Sequence, residues 1–286
     1  MEKNVKSENA DMRGYASGEE KDLVSIVIPT HNYGRYISEA IESVLDQSYS
    51  NLEVIVVDDG STDNTAAIVS KYPSVKYVYQ DHIGQSTAAR ALNIGIRFSS
   101  GKYVAALGAD DQLLPSYIQE CLEAIRKDPK IGIVWTGSLL FGDDKRRLES
   151  KFFSPQVKSP HTRFSFYATP GGPIGAGLVA RRVYEDVGTY DENLASYEDW
   201  DFAIRVLHRR WKARSIDKPL YKYRMHGANI HSHIHKIGLK QLYRKYLFMF
   251  PYRTLHTLHV RVCIFVRHPT LAARKIKRKL YKIDGE

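Results

Sequence analysis

The sequence holds only two cysteines, Cys121 and Cys263, and neither lies in a CxxC pair or a Cys/His cluster. A disulfide framework and a structural zinc site are therefore not expected. Long hydrophobic runs are missing too. The nearest, at 260–266, is short and interrupted by Arg261, well below the ~18 apolar residues of a membrane span. Residues 1–22 are polar and mixed in charge, with no apolar core, so they read as a disordered leader and not as a signal peptide. There is no GxxxxGK[ST] phosphate loop, no GxGxxG after the first apolar run and no GxSxG elbow. These absences argue against an NTPase, a dinucleotide oxidoreductase and an α/β-hydrolase.

What is present is globular. With 43% apolar residues over 286 positions, the chain can build one large α/β domain or two small ones. Its net charge of +10 is unevenly spread, because residues 236–286 hold thirteen Lys/Arg against two acids. The remainder is then near neutrality, at about −1. A nucleic-acid binder more often carries its charge across the folded surface.

The apolar run at 24–28, rich in β-branched residues and ended by Pro29, predicts a buried parallel strand. Ile37, Ile41, Val44 and Leu45 recur at helical spacing and predict a helix over 36–47. Further strands are expected at 53–57, 75–79, 103–107 and 131–135. Helices are expected from a Thr62 or Asp63 cap towards Tyr72, around Ala88, Leu92 and Ile96, from Pro115 to Lys127, and from near Trp200. This alternation implies right-handed βαβ units and a doubly wound, mostly parallel sheet. In such sheets ligands bind beyond the carboxyl ends of the strands. Polar residues occupy those ends: His31 and Asn32, then Asp58 and Asp59, then Asp110 and Asp111. After Gly137 the periodicity loosens, and a glycine-rich passage at 171–177 precedes a short apolar run at 178–180.

Each acidic group has an ordinary reading beside a chemical one. Asp58-Asp59 can cap a turn or accept hydrogen bonds from a nucleobase or ribose. Asp110-Asp111 are adjacent carboxylates at a strand end, which repel unless a cation or a sugar hydroxyl relieves them; hard divalent cations take such oxygen ligands. Glu198, Asp199 and Asp201 are acids that suit a helix N-terminus. A carboxylate held there can also act as a general base.

Taken in order, these segments resemble an inverting glycosyltransferase of family 2 with the GT-A fold, from about Val24 to His226. The likeness rests on Val24-Ser25-Ile26-Val27-Ile28-Pro29-Thr30-His31-Asn32, on Val56-Val57-Asp58-Asp59-Gly60-Ser61-Thr62-Asp63, and on Leu107-Gly108-Ala109-Asp110-Asp111. Glu198-Asp199-Trp200-Asp201 and Tyr223-Arg224-Met225-His226 complete it. The resemblance implies that Pro29, His31 and Asp59 line the nucleotide pocket and that Asp110 meets ribose or metal. It further implies that Asp111 and His226 hold Mn2+ or Mg2+ at the diphosphate and that Asp199 is the catalytic base. Glu198 and Arg90 join the donor site. Gly108 departs from the family's DxD, where an acid is usual.

The same resemblance implies a nucleoside-diphosphate sugar donor, UDP before other bases, and a glycan or lipid-linked acceptor in the synthesis of polysaccharide, lipopolysaccharide or another glycoconjugate. It divides the chain into a leader (1–22), a transferase domain (23–235, with a nucleotide half to 137 and an acceptor half beyond it) and a basic helical extension (236–286). That extension packs on the domain or meets an anionic membrane surface; no nucleic acid is expected. The expected location is cytoplasmic, peripheral at the membrane face. The competing reading is a non-catalytic membrane-associated or nucleic-acid-binding module on a degenerate transferase domain, with Gly108 as its hint.

Overall fold

The computed structural model describes residues 22–84, 87–142, 177–226 and 232–246. Its first half alternates β1 (Val24–Thr30), α1 (Ile37–Leu45), β2 (Leu52–Asp59), α2 (Thr65–Val69), β3 (Val75–Gln80), α3 (Thr87–Phe98) and β4 (Tyr103–Ala106). Then follow β5 (Gln112–Leu113), α4 (Tyr117–Ile125), β6 (Ile131–Gly142), β7 (Leu178–Ala180), α5 (Arg181–Val187), α6 (Glu198–His208), β8 (Lys212–Met225) and α7 (Ser232–Lys245). Among the described residues, the eight strands join one sheet in the order β3-β2-β1-β4-β7-β6-β8-β5.

Pairing fixes the direction of each strand. β1, β2, β3 and β4 are mutually parallel; β7 lies antiparallel between β4 and β6, and β8 runs parallel to β6. The strands β1, β2, β3, β4, β6 and β8 therefore point one way, with β7 and β5 against them. The consequence for function is direct: the segments after β1, β2, β4 and β8 all leave the sheet at the same edge.

The core follows from the side chains. Val24, Ile26, Val27 and Ile28 are fully buried, as a strand covered on both faces requires. On α1 the inward residues are Ile37, Ala40, Ile41 and Val44, one stripe of a 3.6-residue period. On α6 the helix turns Trp200, Phe202, Ala203, Val206 and Leu207 inward. Asn93 of α3 ties the two halves together: its Nδ2 donates to the carbonyl of Tyr190 at 2.9 Å and to Glu192 Oε1 at 2.7 Å, while its Oδ1 accepts from the Tyr190 N–H at 2.9 Å.

Several expectations are adjusted. The strand expected at 131–135 continues to Gly142, because β8 pairs along its whole length. β8 itself was unforeseen, since its charged sequence, with Pro219 inside it, lacks an apolar run. The short β5 and the helix α5 were also not foreseen. The helix expected towards Tyr72 ends at Val69 and its N-cap is Asn64, not Thr62 or Asp63; Asp63, one residue earlier, accepts the Thr65 N–H at 3.0 Å. The helix α7 spans the expected boundary at 236 and buries Leu242, in keeping with an extension that packs on the domain. The leader, most of the glycine-rich passage and the basic tail beyond Tyr246 lie outside the described residues.

Gly95 illustrates how closely α3 meets the sheet. A Cβ there would stand 2.2 Å from Val27 Cγ1. The variant Gly95→Ala is therefore expected to lose about 1–3 kcal/mol through overpacking, read from the midpoint of urea unfolding. An unchanged midpoint would mean that the helix can lift away without loss.

Candidate active site

At the end of β1, Pro29 pairs with Val57 of β2, and His31 follows the strand. The His31 Nδ1–H donates to the Asp59 carbonyl at 2.7 Å, and its ring stacks on His82 with centroids 4.3 Å apart and an interplanar angle of 22°. Asp59, at the end of β2, is 1% exposed. Its Oδ1 accepts from Gln80 Nε2 and its Oδ2 from His82 Nδ1, each at 2.5 Å. Ligand atoms of His31, Asp59 and His82 all lie within 4.8 Å of one another, so the three could hold a metal. The stacking works against that use, since near-parallel rings aim their in-plane lone pairs side by side. Asp58 is structural: it accepts from the Ser61 N–H at 2.8 Å and the Tyr77 hydroxyl at 2.7 Å. Arg90 donates to the carbonyl of Asp81 at 3.0 Å and so braces the turn after β3.

Beyond β4 the two acids part company. Asp111 faces inward: its Oδ2 accepts from the Tyr221 hydroxyl at 2.6 Å and its Oδ1 from the Arg224 N–H at 2.8 Å. Burial, and then the charge of Asp110, push its carboxyl up to about 8. Asp110 instead meets His226, whose Nε2–H donates to Asp110 Oδ2 at 2.9 Å. A Cβ on Gly108 would stand 2.6 Å from Asp111 Oδ2 and 3.1 Å from Asp110 Oδ1. Glycine at the departure from DxD is thus what leaves room for Asp111 to turn in.

Arg224 fastens this corner. Its guanidinium lies between the rings of Tyr36 and Phe141, at 4.6 and 4.3 Å, and reaches Glu39 Oε2 at 2.5 Å. Its Nε donates to the Asp110 carbonyl at 2.7 Å. The rings of Tyr33 and Tyr36 flank His226 at 6.0 and 5.1 Å. Burial and the charges of Asp110 and Asp111 push the Tyr33 phenol up to about 12.

Glu198 and Asp199 open α6, directly after Tyr197, whose φ of 66° is left-handed. Burial raises Glu198 to about 7, with the charge of Asp199 adding to it, and burial raises Asp199 to about 6. Asp199 Oδ1 accepts the Trp200 N–H at 2.7 Å. Tyr223 of β8 joins the two groups of acids. Burial raises its phenol, and so do the charges of Asp111, Asp110, Tyr33 and Asp199. Asp199 thus acts on the same phenol as the acids that follow β4. Asp59 stands two strands over at the same sheet edge.

The family model for glycosyl transferase family 2 matches residues 25–188. The chain belongs to glycosyl transferase family 2. Among curated relatives, an uncharacterized glycosyltransferase of Nostoc sp. is 30% identical over 220 residues, covering 73% of this chain and 66% of that protein. The chondroitin synthase of Escherichia coli is 38% identical over 211 residues, which are 72% of this chain and 29% of that enzyme. This family 2 chain therefore matches two-thirds or less of each of these relatives. Two solved structures share its GT-A fold. A mannosyltransferase from Pyrobaculum calidifontis, in complex with GDP-Man and Mn2+, superposes with a TM-score of 0.63 at 19% identity, covering 93% of this chain and 81% of that one. TarS of S. aureus, in complex with UDP-GlcNAc, gives 0.56 at 21% identity over 72% and 59%.

Sequence reasoning passed over some partners of the candidate residues in this family 2 chain. His82 and Gln80 approach Asp59 only because β3 lies beside β2. Tyr221 reaches Asp111 from a strand that was not foreseen. Arg224 stood in the quoted motif without a role. Among the described residues, no helix is long and apolar enough to cross a membrane.

Proposed function

We propose that this chain transfers a sugar from a nucleoside diphosphate to an acceptor hydroxyl with inversion, in the synthesis of a polysaccharide or related glycan. The observation that carries the reading is that Asp59 and the pair Asp110 and Asp111 leave parallel strands at one sheet edge, where His226 at the end of β8 meets Asp110; that the charges of Asp110, Asp111 and Asp199 all raise the Tyr223 phenol supports it. Relatives named chondroitin synthase and hyaluronan synthase support a polysaccharide product. The UDP-GlcNAc and GDP-Man bound to the structural neighbours support a nucleotide-sugar donor, and we take UDP as the carrier.

In this reading Asp59, its oxygens held by Gln80 and His82, fixes those two side chains at the base pocket, and His31, with Pro29 behind it, forms the wall. Since 4.3 Å between centroids leaves no room for a third ring, the base lies on the outer face of the His31–His82 pair. Arg90 shapes the turn bordering this pocket, and Glu198 faces the donor sugar. The acceptor oxygen attacks the anomeric carbon. The bond from that carbon to the diphosphate oxygen breaks, its electron pair leaving with the diphosphate, and Asp199 receives the acceptor's proton. General-base help of this kind is worth ~10²–10⁴-fold.

Asp110 and His226 suit Mn2+ or Mg2+, since a carboxylate and an imidazole converge at 2.9 Å. Asp111, with both oxygens engaged inside the protein, supports the loop from behind, so we move the metal role expected of it to Asp110. A divalent cation there would neutralise the charge of the departing diphosphate. Gly108, the one hint of a degenerate domain, is accounted for by the inward turn of Asp111, which favours the catalytic reading.

The test is a thermal-shift screen of UDP-Glc, UDP-GlcNAc, UDP-Gal, UDP-GlcA and GDP-Man, each with Mn2+ or EDTA, followed by assay of nucleotide release. At 100 times Kd a donor should raise Tm by roughly 5–10 °C. The absence of both a thermal shift and nucleotide release across the whole panel would defeat the proposal.

A further inference from the structure

The helix α7 begins beyond the residues matched by the family model, yet it grips the segment that carries Asp199 at several points. Gly238 is seated against Ser196 so closely that a Cβ would come within 2.2 Å of Ser196 Oγ and 2.7 Å of its carbonyl oxygen. One turn on, Gln241 Oε1 accepts the Ala195 N–H at 2.8 Å, and its Nε2 donates to the Asn193 carbonyl at 3.1 Å. At the end of the helix, Lys245 Nζ lies 2.6 Å from Asp191 Oδ2 and 2.6 Å from Asp201 Oδ1. The neighbouring Tyr246 hydroxyl donates to Asp201 Oδ1 at 2.6 Å.

Asp201 has no exposed surface. A carboxylate so enclosed requires partners, and it has them from both helices: Lys245 and Tyr246 beside α7, and Arg205 Nε of α6 at 2.9 Å. Arg205 also donates to the carbonyls of Val187 and Thr189, each at 2.6 Å. Lys245 therefore spans two acids on opposite sides of Asp199 in the chain, while Gln241 and Gly238 hold the residues between. Within this stretch Tyr197 keeps a left-handed φ of 66°. A non-glycine residue stays in that region only when its surroundings impose it, at a cost of about 1–3 kcal/mol.

We infer that α7 is a splint for the catalytic base: Gln241 and Lys245 are positioning residues that hold the 191–201 segment so that Asp199 faces the acceptor. The inference rests on the proposed role of Asp199 as base. Neither residue is assigned a contact with donor or acceptor. Their removal should therefore lower the rate of the chemical step and leave nucleotide binding, which depends on the far side of the sheet edge, unaltered.

The full chain is used, with Gln241→Leu, Lys245→Met and Lys245→Arg. UDP and GDP affinity are measured by calorimetry with Mn2+, and nucleotide release is measured with whichever sugar of the panel is turned over. A base displaced by about 1 Å loses on the order of 10²-fold in rate. The expected result is a kcat lowered about 10- to 100-fold in Gln241→Leu and Lys245→Met, with nucleotide Kd within about twofold. Lys245→Arg, which keeps the charge between the two acids, should recover most of the rate. Should Lys245→Met not fold, Gln241→Leu removes no charge and decides the question alone. An unchanged kcat in folded Gln241→Leu overturns the splint, and so does a fall in nucleotide affinity in step with kcat. A wild-type chain that releases no nucleotide from any donor overturns the function itself, a separate and recognisable outcome.

Discussion

Asp199→Asn should abolish sugar transfer and, at pH 8, make the protein more stable. The two effects share one cause. Burial holds the carboxyl at about 6, above the ordinary value of 3.8, so the folded protein binds a proton there more tightly than the unfolded chain does. The stability this contributes is complete below the ordinary value and is lost as the pH rises through about 6. At pH 8 the ionised Asp199 is a burden on the order of 3 kcal/mol. Asparagine keeps the shape and can still accept the Trp200 N–H, yet it carries no charge and takes up no proton. Turnover should fall by ~10²–10⁴-fold, while Tm rises by roughly 5 °C at pH 8. At pH 5 the folded carboxyl is mostly protonated while the unfolded one is still ionised, so the difference in Tm should fall to about half, and it should vanish only below the ordinary value of 3.8. Calorimetric scans at the two pH values, beside a nucleotide-release assay, check both halves. Wild-type turnover in the variant would remove Asp199 from the role of base; a Tm difference independent of pH would deny its burial a part in stability.

The same values fix the pH dependence of the reaction. With Asp199 at about 6 and Glu198 at about 7, the rate should decline on the acid side through this range as the base takes up a proton. The pair releases its protons in two steps. Glu198→Gln should leave one step, near 6. A rate that is flat from pH 5 to 8 would exclude a buried carboxylate base.

The second large effect is expected at the metal. Asp110→Asn should remove the gain in UDP affinity that Mn2+ confers and lower turnover by ~10²-fold or more, since a cation at the leaving group is worth several kcal/mol. Asp111→Asn should spare that gain, because Asp111 spends both oxygens on the Tyr221 hydroxyl and the Arg224 N–H. Asp111→Ala should instead lose stability, about 1–3 kcal/mol for each buried donor left without its acceptor. Calorimetry of UDP binding with Mn2+ and with EDTA separates the alternatives. If Asp111→Asn loses the metal response and Asp110→Asn keeps it, the metal belongs on the inner acid.

Much of this was legible before any fold was seen. The buried run at 24–28, the alternating helices and the acids closing each strand are local patterns, and they disclosed a doubly wound sheet with polar loops at one edge. The same patterns, with the family resemblance, explain why Asp59, Asp110, Asp111 and Asp199 stand out together. What went unread depends on neighbours. β8 has a charged, proline-containing sequence and becomes a strand because β6 pairs with it. Its contribution of Tyr221, Tyr223, Arg224 and His226 to the cleft was accordingly hidden, apart from the motif at its end. His82 and Gln80 face Asp59 through the pairing of β3 with β2, a relation that periodicity does not report.

By itself the sequence determined the hydrophobic periods, the chemistry available at each strand end and the family to which the chain belongs. Tertiary structure alone decided which of two adjacent acids is held by Tyr221 and Arg224 and which meets His226. It also decided, between packing on the domain and meeting a membrane, that α7 closes on the segment leading to Asp199. The physical reason is the same in both cases. A carboxylate's role is set by the donors and charges around it, and those come from strands and helices distant along the chain.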